Sequence, residues 1–284
     1  MNGGTGPLRA GGQALADGVL MRTERAWAIA RIDGTIETGE LPGNRFSAVP
    51  VLRVLAGLGG ALKLGIAKGM LRKGAGGGAS VQGSRRANRR FLFALLGAEA
   101  VVAALGLWLN RFDVPQWGTV LLTILPWIAV LGVMRLATAP SLWRFHGAEH
   151  KAVSAHEQSI DLADTGAVLA CPRVHNRCGT NLVFLLAVSS LAMVAVPTAL
   201  QLPLFLVALG TTVELMSLAA RWPRFLGSRL LLSGGRALQR FVTTAEPTAA
   251  EQAVACRALS AALTVHAELE AAEAVTDERI LVAA

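Results

Sequence analysis

The sequence predicts a mainly α-helical, polytopic membrane protein with about four spans, a small N-terminal β element and a C-terminal cytoplasmic amphipathic helix. Three observations lead there. Of the 284 residues 53% are hydrophobic, and the mean hydropathy is +0.48, more apolar than a soluble domain requires. Apolar segments recur at 91–109, 117–137, 181–200 and 203–220, each close to the roughly 20 residues a helical span needs. Between the second and third lies a water-facing interval dense in His, Cys and Glu.

Charge sets the orientation. The net charge is +8 and the pI about 10.6. The basic residues flank the apolar segments: Arg85, Arg86, Arg89 and Arg90 before the first, Arg135 to Arg177 between the second and third, and Arg221 to Arg240 after the fourth. Anionic lipid at the cytoplasmic face accounts for that distribution, and no nucleic acid is expected as a partner. The positive-inside rule then places both termini in the cytoplasm of a multi-pass inner (plasma) membrane protein. Three scattered cysteines fit a reducing compartment. The first ten residues lack an apolar core, so no cleaved signal peptide is expected. Homo-oligomerisation stays open.

In chain order, residues 1–45 form the N-terminal cytoplasmic β element. Ala26 to Ile32 and Thr35 to Glu37 flank Asp33-Gly34, a hairpin signal because Gly takes positive φ freely. Gln13, Asp17 and Arg22 precede it. Residues 46–83 combine an interfacial or re-entrant helix with a Gly-rich linker, since Arg53, Lys63 and Lys68 interrupt the apolar run. Residues 84–229 form the four-span membrane domain, which carries the cytoplasmic His/Cys segment 141–180. Residues 230–284 are a cytoplasmic helical tail. There Thr248-Ala249-Ala250-Glu251 reads as a capping box, and Val254, Ala258, Ala261, Val265 and Leu269 share a helix face.

The chemistry concentrates in Arg144-Phe145-His146-Gly147-Ala148-Glu149-His150-Lys151. Pro140 and Ser141 start a helix there. At about 100° per residue, His146, His150 and Glu157 fall within about 40° of one another, with Glu149 and His156 to one side. Histidines four apart on a helix can bind one divalent ion. His-x-x-Glu-His is also the inverted zinc-protease spacing, in which the Glu acts on a metal-activated water. A polar helix face with solvated histidines is the plainer alternative. The second cluster, Cys171 to Thr180, adds His175 and Cys178, a soft thiolate with an imidazole. Glu214, within the fourth apolar segment, is a candidate ligand or acceptor for a histidine N–H, or else an ion-pair partner for Arg221. Glu99, in the first, reads as a buried hydrogen-bonded carboxyl.

These motifs resemble the YqhQ-like family of bacterial membrane proteins, a domain of unknown function labelled a predicted metal-dependent enzyme. The resemblance runs from about Gly11 to Ala262. It rests on Gly11-Gly12-Gln13-Ala14 with Gly18, Met21 and Arg22; on Arg53; and on His146-Gly147-Ala148-Glu149-His150-Lys151 with Glu157. It continues through His175 with Arg177-Cys178-Gly179-Thr180, Glu214, Leu238-Gln239, Thr243-Thr244 and Glu246-Pro247. Five residues depart from the family pattern. Ala16-Asp17 stands for a Met-Glu pair, His156 for an aromatic residue and Asn176 for a Pro, while Cys171 lies outside it.

The expectation is a divalent metal site, zinc first, with His146, His150, His175 and Cys178 as ligands and Glu149 as general base. Glu157 and Glu214 would be outer-shell groups or alternative ligands. The function that follows is a metal-dependent enzyme at the cytoplasmic membrane face, of hydrolase type. A non-enzymatic membrane scaffold or assembly factor with a structural metal site is the alternative.

Overall fold

A computed structural model of the chain describes residues 7–41, isolated helical positions between 93 and 112, and residues 115–283. The interfacial segment 46–70, the Gly-rich linker, the basic collar at 85–90, Glu99 and most of the first predicted span lie outside the described residues.

The N-terminal element is a four-stranded antiparallel meander: β1 (Gly11–Ala14), β2 (Gly18–Arg22), β3 (Ala26–Arg31) and β4 (Ile36–Glu40). The Asp33-Gly34 signal closes β3 onto β4 as expected. Asp33 Oδ1 accepts hydrogen bonds from the Thr35 N–H (3.0 Å) and hydroxyl (2.7 Å). Gly34 takes φ +91°, which a side chain would resist. The inner strands β2 and β3 are buried on both faces, whereas β4 is largely exposed. Val19, Met21, Ala28 and Ala30 join the main core, while Leu15, Leu20 and Ile29 form a second cluster with Trp27.

Helix α1 (Gln116–Ala137) is followed by α2 (Pro140–Glu157), the short α3 (Thr165–Ala170) and α4 (Gly179–Ala192). After a 3₁₀ turn come α5 (Thr198–Arg221) and α6 (Leu226–Leu238). A π-helical turn, Gln239–Thr243, and the long α7 (Ala249–Ala283) complete the chain.

The sheet packs on α2 and α7 rather than standing apart. Ala148, Ala152 and Ala155 of α2 and Ala255, Ala258 and Ala262 of α7 are all buried in one core. Methyl side chains let the two backbones approach closely, and the Gln252 side-chain amide donates to the Ala148 carbonyl at 3.1 Å. The predicted capping box forms, with Thr248 Oγ1 accepting from the Glu251 N–H (3.2 Å) and Glu251 Oε2 from the Thr248 N–H (2.9 Å). Glu251 also accepts from Arg144 Nε at 2.8 Å, which ties the start of α7 to α2.

The buried stripe of α7 is rotated from the expected one. Ala255, Leu259, Ala262 and His266 are buried together with Val254 and Ala258, whereas Ala261, Val265 and Leu269 are only half-buried. His266 accepts its place in the core through Thr23, whose hydroxyl lies 2.9 Å from Nδ1.

Among the described residues two helices are long and apolar enough to cross a membrane, Trp117–Ala137 and Pro203–Arg221. Their outer surfaces carry large exposed apolar side chains, among them Trp117, Leu121 and Leu136 on α1 and Leu204, Val207 and Leu218 on α5. That pattern points to membrane association. The third predicted apolar segment is the shorter helix Gly179–Ala192 with its 3₁₀ extension.

A candidate metal centre at the junction of α2, α4 and the π turn

Helix α2 supplies the first two members. Pro140 sits in its first turn, where a missing N–H costs nothing, and Ser159 at φ 57° closes its far end. His146 and His150 are one turn apart on the same face, with ring centroids 4.4 Å apart. Cys178 comes from the other side as the N-cap of α4, its Sγ accepting from the Thr180 N–H at 3.4 Å. One ring nitrogen from each imidazole and the Cys178 sulfur all lie within 4.8 Å of one another. Cys178 Sγ is 3.4 Å from His146 Nε2. That matches the separation of about 3.5 Å between a nitrogen and a sulfur ligand on tetrahedral zinc.

The imidazoles are held in the tautomer that ligation needs. His146 Nδ1–H donates to the Thr243 carbonyl and His150 Nδ1–H to the Arg173 carbonyl, each at 2.6 Å. A carbonyl only accepts, so both Nδ1 atoms carry protons and both Nε2 atoms are left for the cluster.

A buried polar frame holds these carbonyls in place. Gln239 is fully buried, accepts from the His175 N–H at 2.8 Å and donates to Asn181 Oδ1 at 3.1 Å. Asn181 in turn donates to the carbonyls of His175 (3.2 Å) and Asn176 (2.8 Å). Lys151 donates to the Leu169 (2.7 Å) and Cys171 (2.9 Å) carbonyls and pairs with Glu246 at 3.1 Å. Glu246 also pairs with Arg173 at 3.1 Å.

Gly147 makes the frame sterically feasible. A Cβ there would fall 2.1 Å from the Ala245 carbonyl oxygen. The segment that carries Thr243 and Glu246 therefore passes directly over this position. Gly147→Ala is expected to cost about 1–3 kcal/mol as an overpacked backbone contact. It should also lower metal retention, because Thr243 would be displaced from His146. Denaturant unfolding beside metal analysis checks both, and an unchanged midpoint would show that the segment yields freely.

The other predicted residues are placed as follows. Glu149 is 7% exposed, and its Cγ lies against Gly12 of β1, where a Cβ would meet it at 3.0 Å. Its charge acts on Arg22, His146 and His175, and it makes no hydrogen bond among the described residues. His175 lies beside the trio, its ring 6.0 Å from that of His150. Its Nε2 is 3.1 Å from Glu157, and its Nδ1 accepts from the Arg177 N–H at 3.3 Å. Glu157 is thus an acceptor for His175 and an ion-pair partner of Arg177. Glu214 lies on the exposed surface of α5, and none of the contacts described around the trio is made by it. Asp17 pairs with Arg31 at 2.8 Å, and His156 Nε2 is 2.8 Å from the Leu8 carbonyl.

The residue-by-residue reading missed Gln239 as a brace. The available signal was its place one residue past α6, in line with Ser228, Leu232 and Gly235 at the buried i, i+4, i+7, i+11 spacing.

Electrostatics couple the cysteine to its neighbours. Burial opposes the charge on His146, but the Cys178 thiolate, the hydrogen bond to it, Glu149 and the Thr243 carbonyl together raise its pKa to about 9. Burial likewise opposes the Cys178 thiolate, yet His146 and His150 hold its pKa well below the usual thiol value. Burial depresses the pKa of His175 against the fields of Glu149 and Cys178.

The signs of these shifts predict how the metal-free chain responds to pH. His146, raised from 6.5, stabilises fully below pH 6.5 and loses that contribution as pH rises through about 9. Cys178, lowered from 9.0, gains over the same interval and loses its contribution as pH falls through its folded value. The two changes offset each other. Unfolding midpoints of chelator-treated protein should therefore be flat between about pH 6.5 and about 9 and fall on the acid side. Cys178→Ser should remove much of that acid-side loss.

Fold and site together define a mainly helical protein with a small antiparallel sheet and a three-donor His/Cys cluster at the end of its apolar helices. The family model described as Protein of unknown function (DUF1385) matches residues 115–265, more than half of the chain, and the chain belongs to that family. The match takes in every member of the cluster and its frame, while the sheet lies outside it. Comparison with curated proteins found no match, nor did comparison with solved structures.

Proposed function

We propose that this chain is a YqhQ-like, multi-pass inner-membrane enzyme that holds a divalent metal, zinc first, at the cytoplasmic face and hydrolyses a membrane-associated substrate. The observation that carries this reading is the convergence of His146, His150 and Cys178 with both imidazoles fixed through Nδ1. Three protein donors leave one tetrahedral position open, the arrangement of catalytic rather than structural zinc. A bound zinc would supply Lewis acidity and make water acidic enough to act near neutral pH. Glu149, one residue before His150 and close enough to act on His146, is the proposed general base. Arg22, the last residue of β2, feels its charge.

The proposed topology has about four spans with both termini cytoplasmic, supported by the basic residues around the apolar segments. The scaffold alternative needs a closed shell, with His175 as fourth ligand. Its ring nitrogens are engaged by Glu157 and the Arg177 N–H instead, which favours the open site.

The test is turnover by the full-length, detergent-purified chain against phosphoester, ester and amide lipids, before and after chelation and zinc reloading. Activity that disappears with the metal and returns on reloading is expected, with His146→Ala inactive under both conditions. Turnover indifferent to chelation would end the metal-hydrolase reading. Normal membrane accumulation of His146→Ala would count against the scaffold.

A further inference from the structure

We infer that α6, with the turn that follows it, is an in-plane binding site for anionic lipid headgroups. The inference rests on reading α5 as a membrane span. One side of α6 is committed to the protein: Ser228, Leu232, Gly235 and Gln239 are buried, and a Cβ on Gly235 would meet Asn181 of α4 at 2.1 Å. The opposite side is apolar and uncovered. Leu226 and Leu230 are each 65% exposed and Phe241 is 78% exposed.

Arginines border that stripe. Arg229, Arg236 and Arg240 lie roughly 60–100° around the helix from Leu226–Leu230. From Leu215 to Ala245 the sequence has five arginines and no acidic residue. None of the five makes an ion pair among the described residues, and two of them instead lie over rings, Arg221 on Trp222 (5.9 Å) and Arg240 on Phe241 (6.0 Å). A row of unpaired guanidinium groups beside apolar side chains matches a headgroup layer, where phosphates take the charge and acyl chains take the Leu and Phe. The position is also right. The apolar surface of α5 ends at Arg221, and the exposed Trp222 and Phe225 continue it onto α6.

This surface reaches the metal centre without a break. The same segment becomes the π turn, in which Gln239 holds the His175 N–H and the Thr243 carbonyl holds His146. Lipid seated on α6 would therefore bear on the geometry of the cluster.

The experiment uses the full-length chain in nanodiscs of phosphatidylcholine with and without phosphatidylglycerol, and phosphatidylglycerol titration followed by native mass spectrometry. Arg229→Gln/Arg236→Gln/Arg240→Gln is the test variant, since glutamine keeps helix propensity and leaves the buried stripe intact. Amide exchange over 226–241 should slow in phosphatidylglycerol discs. The variant should lose that protection and bind phosphatidylglycerol more weakly by about fivefold per arginine, on the order of a hundredfold in all. Equal binding by wild type and variant, or protection indifferent to lipid charge, would overturn the inference. So would protection that scales with the number of chains per disc, which would assign the stripe to a second copy. A chain that enters discs yet fails these tests leaves the membrane reading standing, whereas a chain that elutes apart from discs removes both.

Discussion

Purified without chelator, the full-length chain should carry about one transition-metal ion, and His146→Ala/His150→Ala should carry none. The expected loss is complete because the double substitution removes two of three converging donors, and a lone thiolate does not hold zinc against buffer and water. The variant's fold should survive. His146 and His150 face the cluster, while the residues that fasten α2 to its surroundings are others: Arg144 to Glu251, Lys151 to the Leu169 and Cys171 carbonyls, and the alanines against α7. Equal helicity by circular dichroism is the control. Thr243 gives a second, subtler handle. Its carbonyl fixes the His146 tautomer, and losing such a partner typically lowers metal affinity 10–100-fold. A carbonyl cannot be mutated away, but Gln239→Ala should loosen the turn that presents it, and zinc retention in the presence of a competing chelator measures the result. No metal in wild type, even after anaerobic purification and reloading, would leave the cluster as a thiolate–imidazole pair in a polar interface.

Much of this site was legible as sequence because helix periodicity is local. His146 and His150 share a face by counting alone, and Asp33-Gly34 and Thr248-Ala249-Ala250-Glu251 announce a hairpin and a cap by backbone chemistry that needs no distant partner. The association of Cys178 with the histidines was legible only as a clustering of rare residue types, since nothing in the spacing shows that α4 points its N-cap at α2. The pairing of His175 with Glu157 beside the trio was not legible, because the position of His175 depends on a loop geometry set by Gln239 and Asn181. Nor was the buried face of α7. A helix so rich in alanine has no strong apolar stripe, and the sheet and α2 decide which methyl groups turn inward. Similarly, α6 carries leucine on both its buried side (Leu232) and its exposed one (Leu226, Leu230), and apolar content alone cannot tell the two sides apart.

Glu149→Gln should keep the metal and lose turnover by about 10²–10⁴-fold, the usual contribution of a positioned general base. The substitution preserves shape, so the contact with Gly12 and the packing of β1 on α2 should persist, and metal retention should match wild type. Only the ability to accept a proton disappears. The carboxylate is nine-tenths buried and makes no hydrogen bond among the described residues, so its lone pairs are not spent on structure as those of Glu251 and Glu157 are. A buried carboxylate without such partners is costly, and its charge is offset here by the raised His146 and by Arg22. That arrangement makes sense if the carboxylate is kept for a reacting proton. The paired comparison separates three roles. Metal kept with turnover lost makes Glu149 the base, and metal lost makes it a ligand. Metal and turnover both kept would leave it as a counter-charge to His146, in which case the proton must be taken by another group at the site, and His175, its ring 6.0 Å from that of His150, is a candidate.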